Sequence, residues 1–150
     1  MNTNTTTARI VGPSDGTEGF LGSIGVRFMI DGADAADRFS LVEHPMSPRS
    51  LAAPLHLHTR EDEYSFVLEG RMGALLGDEP CRILEIISPA GFENFFRELS
   101  DMGGAIKADP DELAALGERY GLYFNLESVP ELLERFGLQV GEPLTGGWRP

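Results

Sequence analysis

The sequence predicts a mainly β protein: a barrel or sandwich of short strands, followed by a C-terminal α-helical extension. Two observations predict it. From Ile10 to about Pro89 the chain is cut by turn signals (GPSDG, DGAD, EHPMSP, LGDEP) into short strand-like runs, the pattern of sandwiches and barrels. After Pro89 the apolar period changes. Phe92, Phe95, Phe96 and Leu99 fall at i, i+3, i+4 and i+7, one face of a helix.

Strands are expected at Ile24 to Ile30, Arg38 to Glu43, Glu63 to Leu68, Arg71 to Leu76 and Arg82 to Ile87. In DRFSLVEH, Phe39 and Leu41 alternate with Ser40, which predicts that the Phe39/Leu41 face is buried. RILEII is apolar except for Glu85, as in a strand covered on both sides. The aromatic stripe from Phe92 to Leu99 reads as a packing face. Asp109 before Pro110 is an N-cap and first helical position, with Gly121 as the stop. Ser128 and Glu131 have the spacing of a capping box for a last helix ending at Gly137. The segments DELAALGERYGL and PELLERFGL echo each other as a helical pair. The chain divides into a disordered tail (1–8), a β body (9–89) and a helical extension that packs on it (90–150). The last residues, LTGGWRP, read as a loose tail.

Composition narrows the partners. Acidic residues outnumber basic ones 24 to 12, for a formal charge of −12. That balance argues against nucleic acid and anionic membrane, since phosphate recognition needs clustered Lys and Arg. The N-terminal MNTNTTTARI lacks the apolar core of a secretory signal, and no apolar run reaches the length of a membrane span. A cytoplasmic protein is expected. The single cysteine, Cys81, fits a reducing compartment and reads as a small buried hydrophobe. There is no Gly-rich phosphate loop, no G-x-S-x-G and no evident Cys–His partnership. The acidic turns do not match a calcium loop.

The chemistry concentrates in PLHLHTREDEYSFVLEG, Pro54 to Gly70, which holds two of the three histidines. In a strand, residues i and i+2 point to the same face. His56 and His58 therefore project together, their Cα atoms about 6–7 Å apart, which suits joint capture of a metal by imidazole nitrogens. A carboxylate from the next strand would complete two His and one acid with open positions, the arrangement of non-haem iron oxygenases. Glu63 is the candidate, with Ser65 and Val67 on its face and Tyr64, Phe66 and Leu68 on the other. Glu61 and Asp62 read as solvated turn charges, and His44, before Pro45, as structural.

The spacing H-x-H, four residues, Glu, six residues, Gly, met here by His56, His58, Glu63 and Gly70, resembles the first conserved motif of the cupins. The usual Gly six residues before the first His is here Ser50. The segments RFMIDG, RFSLVEHP, APLHLHT, RILEIISPAGFENFFREL and ERYGL also look like small bacterial cupins of the quercetin 2,3-dioxygenase-like group. The resemblance covers most of the chain and implies a jelly-roll-like cupin β-barrel. It implies a divalent transition metal (Fe, Mn, Ni or Zn) on His56, His58 and Glu63, with Glu63 as the catalytic carboxylate. It further implies a small-molecule substrate or ligand, dioxygenase-like chemistry and a homodimer.

The family's second motif (Gly, then P-x-G, then a His ligand and Asn) has no counterpart here. After Gly70 the chain reads RMGALLGDEPCRILEIISP, and no histidine follows His58. One GDEP turn stands where relatives have two. The barrel is therefore expected to be incomplete by roughly two strands, through natural deletion, engineering or an omitted segment. Two functions remain: a metal-dependent, oxygenase-like enzyme, or a non-catalytic remnant that binds a small molecule or dimerises, its metal site impaired.

Overall fold

A computed structural model of the protein describes residues 8–73 and 79–141. In chain order its elements are β1 (Thr17–Phe20), β2 (Gly25–Ile30), a 3-10 turn (Gly32–Asp34), β3 (Ser40–Met46), β4 (Leu55–His58), β5 (Asp62–Glu69), β6 (Cys81–Ser88), α1 (Glu93–Asp101), α2 (Pro110–Tyr120), β7 (Leu122–Asn125) and α3 (Ser128–Phe136). Among these residues the chain is mainly β and antiparallel: a five-stranded sheet in the order β1-β2-β3-β6-β5, and a separate pair, β4-β7. Among the described residues the strands do not close into a barrel. Residues 1–7 of the expected tail, the LTGGWRP end and half of the GDEP turn lie outside the described residues. So does half of the Arg71 to Leu76 strand, and Arg71–Gly73 are not in a strand.

The inner face of the large sheet carries Val26 and Phe28 from β2, Val42 and Met46 from β3, and Ile83 and Ile87 from β6, all buried. Helix α1 supplies the opposing layer. Phe92, Phe95, Phe96 and Leu99 are all buried against it, as their helical spacing predicts. Glu93 anchors this helix, its carboxylate accepting from the backbone N–H groups of Gly32 and Gly91.

Three expectations about faces and caps are corrected. On β3 the core-side residues Ser40, Val42, His44 and Met46 are buried, as is Glu43 on the opposite side, while Leu41 is only half-buried. The burial parity is thus opposite to that predicted from Phe39 and Leu41, because two polar residues occupy the core face. On β6, Cys81, Ile83, Glu85 and Ile87 are buried but Ile86 on the reverse side is 41% exposed, so the strand is covered on one side only. At α3, Ser128 makes no capping box: its hydroxyl donates to the Asn125 carbonyl and accepts from the Leu55 N–H. Helix α2 follows its sequence signals, with Asp109 accepting from the N–H groups of Asp111 and Glu112 and Gly121 in the left-handed conformation.

Strand β7 has no counterpart in the sequence-based expectation. It pairs with β4 in the register Leu55↔Asn125, His56↔Phe124, Leu57↔Tyr123, His58↔Leu122. Opposed residues share a face, so His56 and His58 lie with Phe124 and Leu122. Leu55 and Leu57, 58% and 62% exposed, lie outside with Tyr123. The usual apolar-in alternation is therefore inverted. The cavity side of β4 is itself only partly covered, with His56 exposed and His58 half-buried, and a one-residue slip would put the two leucines on that side in their place. Side-chain bonds resist that slip at both ends: Ser128 holds the Leu55 N–H, and the Thr59 hydroxyl donates to the Gly121 carbonyl at 2.9 Å.

If the leucines face solvent, Leu55→Thr and Leu57→Thr should each change the unfolding free energy by no more than about 0.5 kcal/mol in urea titrations. A loss of about 2 kcal/mol at either position would mean that the leucines, not the histidines, face inward.

Candidate metal centre

Inverting β4 brings its histidines to the wall of a cavity of about 470 Å³, lined mostly by apolar side chains. Glu63 reaches the same wall from the start of β5. Ligand atoms of His56, His58 and Glu63 lie within 4.8 Å of one another, close enough to hold a metal ion.

The ring tautomers are set for that task. His56 Nδ1 lies 2.8 Å from the Pro54 carbonyl, which can only accept, so Nδ1 carries the proton and Nε2 keeps its lone pair. His58 Nδ1 lies 2.5 Å from Glu61 Oε1, and donation to that carboxylate likewise frees Nε2 as a ligand. Nδ1–H bonds of this kind orient metal-binding imidazoles. The His58 ring is also wedged edge-on between His56 and Phe92, with centroids at 4.9 and 4.6 Å.

Two atoms here lack partners. His58 Nε2 and Glu63 Oε1 are buried without a hydrogen bond, although His58 Nε2 stands 3.3 Å from Glu63 Oε2. Buried polar atoms are rarely left so, and a cation between them would satisfy both. The residues therefore fit a divalent metal by donor type, tautomer and unmet valence. Burial, reinforced by the charges of Glu85 and Glu61, pushes the Glu63 carboxyl from 4.5 up to about 8.

Glu61 is a further residue that the sequence reading missed. Taken there for a solvated turn charge, it has a side chain only 5% exposed and orients His58. The H-x-x-E spacing across a three-residue turn is the signal that could have found it. Asp62, by contrast, is exposed. Tyr64 and Phe66 face outward, 59% and 67% exposed.

The third histidine, His44, does not join the cluster. Gly25 lies against Pro45, and a Cβ on Gly25 would sit 2.8 Å from Pro45 Cγ. Proline has no N–H to give to a neighbouring strand. His44 Nδ1 supplies the donor instead, 2.9 Å from the Gly25 carbonyl. Its Nε2 meets Glu85 Oε2 at 3.1 Å, and Ser65 Oγ donates to Glu85 Oε1 at 3.2 Å. Burial pushes the Glu85 carboxyl up, but the His44 hydrogen bond and charge, then Ser65, outweigh it and hold it below the ordinary carboxylate value. Phe92, Phe95 and Phe96, read from the sequence as a packing face, also line the cavity. Cys81 is buried, and burial raises its thiol pKa.

No protein-family profile matches the chain, and no curated protein matches it. Among the described residues no helix is long and apolar enough to cross a membrane.

Glu63 makes stability depend on pH. A carboxyl whose folded-state pKa is raised holds its proton more tightly folded than unfolded. Its contribution is fully present below 4.5 and is lost as pH rises through about 8. Metal-free protein should therefore lose unfolding free energy across that interval, and Glu63→Gln, which has no charge to bury, should flatten the loss. Urea titrations at pH 5, 7 and 9 check this; equal slopes in both proteins would contradict the buried placement of Glu63.

Proposed function

We propose that the chain is a metal-dependent protein of the cupin type, in which His56, His58 and Glu63 hold a divalent transition metal (Fe, Mn, Ni or Zn) for oxygenase-like chemistry on a small organic substrate. The observation that carries this reading is the inverted strand β4, which exposes two leucines in order to aim two imidazoles, beside a buried carboxylate, into an apolar cavity. Gly70 adds support. It ends β5 in the left-handed conformation, at φ 77°, and a Cβ there would lie 2.3 Å from the Pro80 carbonyl oxygen. The glycine of the H-x-H…E…G spacing is thus demanded by the backbone.

A metal of this kind supplies Lewis acidity toward substrate oxygens and open coordination positions. The chain's residues do the rest. Glu61 and the Pro54 carbonyl keep the two imidazoles in the metal-binding tautomer. Phe92, Phe95 and Phe96 shed water from the cavity and offer ring faces and edges to an apolar substrate. Glu63 serves as ligand or, once released, as a base at its carboxylate oxygen. Quercetinase-like dioxygenation is the nearest analogy, in a cytoplasmic homodimer.

The second reading is a non-catalytic remnant that binds a small molecule or dimerises. The open sheet favours it: among the described residues β5 is an edge strand whose outer side exposes Tyr64, Phe66 and Leu68, a surface that a second copy could cover.

Metal content by inductively coupled plasma mass spectrometry separates the two. Wild type loaded with Fe, Mn, Ni or Zn and desalted should keep close to one equivalent. His56→Ala/His58→Ala should keep none, and Glu61→Gln should bind about 10–100-fold more weakly. Oxygen uptake with flavonol-like and diketone compounds should then follow the metal. A wild type that retains no metal leaves only the second reading.

A further inference from the structure

The cavity holds a charge that the metal centre does not use. Glu85 projects from β6 into the wall shared with His58 and Glu63. Its strand partner is Ser65, so Glu63, two residues along β5, is its diagonal neighbour on the same face, at about 7–8 Å by sheet geometry. His44 needs only Nδ1 to satisfy the Gly25 carbonyl. The second bond, from Nε2 to Glu85, is not required by the strand pairing. A buried acid–imidazole pair contributes little or nothing over apolar packing, so its presence in a chamber of aliphatic and phenylalanine side chains calls for a reason.

Acceptor capacity supplies one. Each carboxylate oxygen can take two donors. Oε2 receives His44 and Oε1 receives Ser65, which leaves one position on each. We propose that Glu85, held by His44 and Ser65, is a second anchor in the cavity, independent of the metal, and that it selects apolar ring compounds bearing a hydrogen-bond donor such as a hydroxyl. The rings lie against Phe92, Phe95 and Phe96. The donor meets Glu85, and carboxylate ligands are repelled there. This deepens the proposed function by naming the ligand class of the same cavity, yet the anchor needs no metal.

The test compares 2-naphthol with 2-methoxynaphthalene, the same ring without the donor, by calorimetric titration of EDTA-treated protein. Wild type should prefer the naphthol by about tenfold or more, as expected for a hydrogen bond to a charged group. Glu85→Gln should reduce the preference to about threefold or less. Ser65→Ala, which frees a position on Oε1, should keep or raise it, and it carries the test if Glu85→Gln does not fold. The His56→Ala/His58→Ala variant should keep the preference, so failure of the metal reading and failure of the anchor give different results. Equal binding of the two probes, binding of neither, or a preference that survives Glu85→Gln or vanishes in Ser65→Ala or the histidine variant overturns the proposal.

Discussion

The pairing of β4 with β7 is the constraint on which the rest depends. A strand reading Leu-His-Leu-His can present either pair of side chains to the interior, and transfer energetics favour the leucines. The structure adopts the other register, held by Ser128 at the Leu55 N–H and by Thr59 at the Gly121 carbonyl. Gly121 is committed to this arrangement: it is left-handed at φ 73°, and a Cβ would fall 2.5 Å from Thr59 Oγ1. One glycine thus ends α2, starts β7 and fixes the far end of the histidine strand. The helical extension is consequently part of the site's architecture, because it carries the strand that turns the imidazoles inward.

Around that strand the buried carboxylates are compensated unequally. Glu43, on the opposite side of β3, is paired by Arg27 and Arg82. Glu85 is met by His44 and Ser65, and Glu61 by His58. Glu63 faces a nearby imidazole nitrogen but has an orphaned oxygen and two acidic neighbours, and its carboxyl is pushed up to about 8. A protein interior tolerates such a group when it serves a ligand. The contrast among the four acids singles out Glu63 more sharply than its own distances do.

Much of this was legible in the letters, for reasons that also explain what was not. The helices could be read because their signals are local: Asp109-Pro110 at one end of α2, Gly121 and Gly137 as stops, and four apolar residues on one face of α1. His56, His58 and Glu63 could be read because spacing along two consecutive strands places them together. Strand β7 was hidden, since LYFN is short and its partner lies over sixty residues upstream. The face of β3 was misread because Ser40 and His44 are buried polar residues, which hydrophobic periodicity assigns to the surface. Glu61 and Glu85 became functional candidates only once tertiary packing showed which carboxylates lose solvent. The capping role of Ser128 failed for a related reason: its hydroxyl is recruited by β4 and β7.

The most direct test of the central claim, that this strand inversion builds a metal centre, is X-ray absorption spectroscopy of the zinc-loaded protein. The account predicts two imidazole nitrogens and a carboxylate oxygen in the first shell, at about 2.0–2.2 Å, with one imidazole signal lost on His58→Ala. A shell of oxygen atoms alone, without imidazole scattering, would place the metal elsewhere and contradict it.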